Sequence, residues 1–158
     1  MGLWSRLLGG PPPRGMPPED SPLWAQGELS PRLLEAWRWL VKDTFTPILC
    51  TALGDLFVQG PAGQVFRLDV ELGVFRSAAR DGEAFEHEAA HQRDAWWKPR
   101  LVDAARARTR PLSDGECYSW IVAPGKGGAR DASNLAPRAL VEHFDALGRA
   151  YAPGAATR

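Results

Sequence analysis

From Ser30 onward, the apolar residues Leu33, Leu34, Trp37, Leu40 and Val41 recur at i, i+1, i+4, i+7 and i+8, the positions of one helical face. Ser30 stands where an N-cap belongs, and Pro31 has a backbone angle suited to the first turn. This predicts an amphipathic helix that turns Trp37 and Leu40 toward a sheet. The period then changes. The stretch "PILCTALGDLFVQGPAGQVFRLDVELGVFRSA" is rich in Val, Leu, Ile and Phe and is cut at Gly54-Asp55, Gly60-Pro61-Ala62-Gly63 and Gly73. Short strands at 48–52, 55–59, 64–69 and 74–78, joined as an antiparallel meander, satisfy that pattern. Helical segments follow at 82–94 and 99–108, and then another strand in "GECYSWIVA". A closing helix carries Leu140, Val141, Phe144, Leu147 and Tyr151 on one stripe, with Phe144 and Leu147 toward the sheet, and Pro153-Gly154 ends it. The expectation is one α+β domain, a single antiparallel sheet of five or six strands packed against three or four helices.

Ahead of this domain, residues 9–22 ("GGPPPRGMPPEDSP") hold six prolines and three glycines. Such a composition reads as an extended or flexible linker. Residues 1–29 are therefore expected to be a flexible N-terminal segment, 30–154 the domain and 155–158 a loose tail. The opening "MGLWSRLLGG" is amphipathic but too short to span a bilayer and lacks a cleavage pattern. Cys50 and Cys117 both lie in apolar runs, the setting of buried reduced thiols, which suits a reducing compartment. A cytoplasmic location without membrane contact is the expectation.

Lys+Arg and Asp+Glu number 19 each, so the formal charge is zero. That argues against a uniformly basic nucleic-acid binder. The balance nonetheless hides segregation. Residues 55–94 hold eight acids against four arginines, whereas 95–110 hold Lys98, Arg100, Arg106, Arg108 and Arg110 against Asp103.

The most specific-looking chemistry is His87-Glu88-Ala89-Ala90-His91, the H-E-x-x-H spacing that brings two imidazoles to one helical face around zinc, with a glutamate to activate water. At about 100° per residue, Phe85 and Ala89 mark the apolar side and the two histidines point the other way. A zincin keeps this helix in its core, yet Glu86 and Arg93 flank the motif here, and burying them would need partners. A third ligand is also required, and Gln92-Arg93-Asp94-Ala95-Trp96-Trp97 does not continue the pattern. "PGKGGA" at 124–129 lacks the first glycine and the Ser/Thr of a phosphate loop. No cofactor or metal is expected, and a zinc-dependent hydrolase on His87, Glu88 and His91 stands as the alternative reading.

An ordered set of short pieces carries more. Thr51 with Gly54-Asp55-Leu56-Phe57, then Gly63, Leu68-Asp69, Gly115-Glu116-Cys117-Tyr118, Gly127-Gly128 and Asn134 run through the chain in sequence. Together they resemble the C-terminal domain of bacterial immunity proteins that neutralise type VI secretion DNase toxins, a domain related to the SUKH immunity superfamily. The resemblance implies a non-catalytic cytosolic protein whose partner is a cognate secreted toxin, a DNase by family habit. Gly54, Asp55, Gly115, Glu116, Tyr118, Gly127, Gly128 and Asn134 are its matching positions, read from the residues alone as turn and strand chemistry. A nuclease cleft is positively charged. If the chain covers such a cleft, its acids should do so, and Asp55, Asp69 and Glu71 on the meander with Glu83, Glu86 and Glu88 on the following helix are the expected contacts.

Overall fold

A computed structural model describes Pro17 and residues 21–154. The expectations for the opening amphipathic stretch, most of the Pro-rich run and the tail 155–158 lie outside the described residues.

A short 3-10 helix at Pro31–Trp37 comes first. Strands β1 (Thr46–Cys50), β2 (Leu56–Gln59), β3 (Val65–Asp69) and β4 (Val74–Ala79) then form an antiparallel meander in sheet order β1-β2-β3-β4. Helix α1 spans Gly82–His91, a π-helical turn Arg93–Trp97, and helix α2 Pro99–Arg108. Strands β5 (Glu116–Trp120) and β6 (Leu135–Ala139) pair antiparallel as a second sheet, and helix α3 (Leu140–Tyr151) closes the fold. The α+β expectation is met.

The six strands divide into sheets of four and two rather than forming one sheet. The reason lies at the outer edge of β1. Residues Leu23–Gln26 run there, with an antiparallel bridge between Trp24 and Thr51. Ala25 N donates to Cys50 O, and Ala52 N to Leu23 O. With that edge occupied, the second sheet reaches the first through Tyr118 N donating to Ala52 O at 2.7 Å. Leu23 and Trp24 are buried, although the sequence assigned them to the flexible segment.

Meander register decides which residues meet which layer. Leu49, Phe57 and Arg67 are cross-strand partners and share a face. On that face Phe57 packs against Phe85 of α1 and against Trp96 and Trp97 of the π-turn, with ring centroids 5.0–5.7 Å apart. Complete burial of a ring of this size contributes about 2–3 kcal/mol. The opposite face carries Phe66 and Phe75, stacked on each other and edge-on to Phe45.

Leu33, Leu34 and Trp37 are buried on the first helix, which stops at Trp37; Leu40 and Val41, expected on the same helical face, follow it, half-buried and buried respectively. The helix has a tighter pitch than an α-helix; Leu34 and Trp37, three apart, align at three residues per turn. It packs against α3. Trp37 Nε1 donates to Phe144 O, Trp39 Nε1 to Gly148 O, and Arg32 forms a bidentate ion pair with Asp145. Among the described residues, no helix is long and apolar enough to cross a membrane.

Candidate functional site

The turn between β1 and β2 needs a left-handed residue, and Gly54 supplies it at φ +82°. Its carbonyl oxygen accepts from His143 Nε2 at 3.0 Å, while His143 Nδ1 lies 2.8 Å from Ser119 Oγ. A carbonyl only accepts, so Nε2 carries the proton and Nδ1 takes the serine hydroxyl's. The fully buried imidazole thus ties α3 to both sheets, and burial lowers its pKa to about 4.

Asp55 follows. Its Oδ1 accepts from Val70 N, and its Oδ2 accepts from Arg67 Nε and Nη2, the latter at 2.6 Å. Burial pushes the carboxyl pKa up against the opposing pull of Arg67. Asp69 is buried too, with Oδ1 accepting from Leu72 N in the β3–β4 turn. Glu71 pairs with Lys98 and Arg130, and its backbone oxygen accepts from the Tyr151 hydroxyl and from Gly125 N. Asp55 and Asp69 are therefore not surface acids awaiting a partner. The apolar strands that frame them bury their carboxylates, and burial recruits Arg67 as counter-ion.

The remaining motif positions are also engaged within the fold. Gly115, at φ +78°, donates its N–H to Gln26 O and accepts from Leu140 N. Glu116 takes a bidentate bond from Arg110 and one from Ser113 N, which hold its pKa down at about 2. Tyr118 donates its hydroxyl to Arg110 O. Gly127, at φ +96°, turns the loop after β5. Gly128 lies so close to the Val122 carbonyl that a Cβ would overlap it. Asn134 is buried, bonded to both backbone groups of Val122.

What remains on the surface lies elsewhere. On α1, Asp81 caps the helix by accepting from Ala84 N, and Phe85 and Ala89 face inward as expected. Glu83, His87 and His91 are exposed, with Glu86 and Glu88 half-exposed. The two imidazoles stack with centroids 4.4 Å apart, and His91 Nδ1 is 2.8 Å from His87 O. Among the described residues, no group of three or more His, Cys, Asp or Glu side chains is arranged to hold a metal ion. Among the described residues, no third side chain is placed to complete a zinc site with His87 and His91. Cys50 and Cys117 are free and buried, and burial raises both pKa values, the state of inert structural thiols.

Two features escaped sequence reasoning. His143 carries no local sequence signal, because its partners Gly54 and Ser119 are distant in sequence. Ile121 and Val122 read as the end of an apolar strand, yet both side chains are exposed.

The polar motif residues of this small α+β fold serve its own architecture, and charged and apolar side chains remain on its surface. Residues 83–149, α1 through most of α3, match the family described as T6SS immunity protein Tdi1, C-terminal. The match bears out the resemblance to type VI secretion immunity proteins. It covers less than half of the chain, and the meander pieces Thr51 to Asp69 fall outside it. No curated protein matches the chain.

Proposed function

We propose that this protein is a non-catalytic immunity protein that binds and neutralises a cognate secreted toxin, a DNase by the habit of the resemblance. The observation that carries the reading is the match of residues 83–149 to an immunity-protein family of the type VI secretion system. The internal engagement of the motif residues supports it, since these positions build a scaffold and leave recognition to the surface.

Glu83 and Glu86 on α1 are the acids proposed to meet a positively charged nuclease cleft. They lie outside the Asp55–Arg67 network and project from a helix anchored by Phe85 and Ala89. Glu71 is a weaker candidate because Lys98 and Arg130 already oppose it.

Co-expression with a candidate toxin encoded in a neighbouring open reading frame tests the proposal. Rescue of growth and recovery of a toxin–immunity complex are expected. Continued killing with the full chain folded and abundant would reject it.

A further inference from the structure

Ile121 and Val122 follow β5 directly and are the most exposed large apolar side chains among the described residues, at 58 % and 50 %. Both are β-branched and stiff at χ1, so holding them against a partner costs little rotamer freedom. Their backbone is fixed. Ile121 N donates to Asn134 O, Val122 N donates to Asn134 Oδ1 at 2.9 Å, and Asn134 Nδ2 donates to Val122 O at 2.7 Å and to Ala129 O at 2.8 Å. Gly128 closes in behind the Val122 carbonyl, and the next residues, Ala123 and Pro124, are buried. A buried asparagine thus acts as a strand partner and holds two apolar side chains in water.

The loop that follows this patch carries two cations, Lys126 over the Tyr151 ring and Arg130 at 3.5 Å from Glu71. Lys126 and Arg130 are exposed on the same loop. The loop's carboxylate, Asp131, is turned back onto Ser133 N and lies within the field of Arg108. Such a surface is repelled by a positively charged phosphate cleft and attracted to a carboxylate-rimmed apolar pocket.

We infer that Ile121 and Val122 form an apolar anchor that docks into an acid-rimmed pocket of the toxin, outside its nucleic-acid cleft. This rests on the immunity reading above and adds a second contact to the acidic face of α1. Buried apolar anchors govern dissociation, and rim charges govern association.

The test titrates the full chain with the candidate toxin from that neighbouring reading frame, purified after inactivation of its catalytic centre. Ile121→Ser with Val122→Ser should weaken binding roughly 100-fold, mainly through faster dissociation. The near-isosteric Val122→Thr should weaken it roughly 10-fold, and its melting temperature should match that of the unaltered chain. Lys126→Glu with Arg130→Glu should slow association and flatten its salt dependence. Val141→Ser, exposed on α3, should leave affinity within about twofold. Binding by the unaltered chain that Ile121→Ser with Val122→Ser leaves within twofold would overturn the anchor alone. No binding by the unaltered chain would overturn the immunity reading and the anchor with it. Self-association of the chain that the serine pair abolishes would assign the patch to a second copy and also overturn the anchor.

Discussion

Gly54 and His143 are fitted to each other across 89 residues of chain. The glycine's carbonyl takes the ring's Nε2 proton at 3.0 Å, and a methyl group at position 54 would overlap that ring. Gly54→Ala would combine a left-handed backbone penalty with this overlap, for a loss of about 3 kcal/mol. His143→Ala should cost about as much by orphaning Gly54 O and Ser119 Oγ. The double variant should cost less than the sum, because the overlap vanishes with the ring. Urea denaturation of the three variants measures this; strict additivity would show that the two residues are not coupled.

The same imidazole makes stability depend on pH. Its pKa falls from 6.5 to about 4 on folding, so the unfolded chain takes up a proton that the folded chain refuses. Stability should be flat in this respect above pH 6.5 and decline as pH falls from 6.5 toward 4, by about 3 kcal/mol in all. His143→Gln should flatten the decline in that window. An unchanged slope would locate the acid sensitivity in other groups.

Asp55 and Arg67 form a buried ion pair, with one carboxylate oxygen bound by two guanidinium nitrogens. Asp55→Ala removes both short bonds to the buried guanidinium and leaves it only Asp69, 3.7 Å away, so a loss of about 3 kcal/mol is expected. Asp69→Lys with Glu71→Lys should lower the melting temperature markedly, because it places a cation beside Arg67 and another against Lys98 and Arg130. A surface location for these acids would leave the melting temperature unchanged, and thermal scanning separates the two outcomes.

His87 and His91 should bind nickel or zinc only weakly, as a two-ligand site on a solvated helix. Metal analysis of protein purified without a histidine tag should find well below one zinc per chain. Stoichiometric zinc that His91→Ala removes would revive the hydrolase reading.

Much of this architecture was legible in the pattern of apolar residues. The four meander strands, α1, α2 and α3 all follow it, because each turns one periodic face inward, as Phe85 and Ala89 do on α1. Strand β6 was not legible: "LAPRA" carries a proline and too few β-formers, and pairing with β5 imposes its conformation. The acids misled for a related reason. Asp55, Asp69 and Glu83 are alike as sequence symbols, but the first two sit where strands bury them and the third where a helix projects into water. Burial is a property of the packed layers, and no local spacing encodes it. The same holds for Ile121 and Val122, whose apolar character pointed inward until Asn134 turned their backbone outward.

The segment Leu23–Gln26 also covers part of a sheet edge. By bonding to Cys50 O and Ala52 N it covers hydrogen-bonding groups that an open sheet edge would offer to any passing strand. Gly115 N donates to Gln26 O, so the same few residues close the gap toward the second sheet. A chain shortened to Ser30, the boundary that composition suggests, would retain all six strands yet bare that edge and the indole-lined hollow left by Trp24. Its failure would be sticking and precipitation rather than loss of any recognition surface, so residues resembling a dispensable leader act as a built-in guard against aggregation.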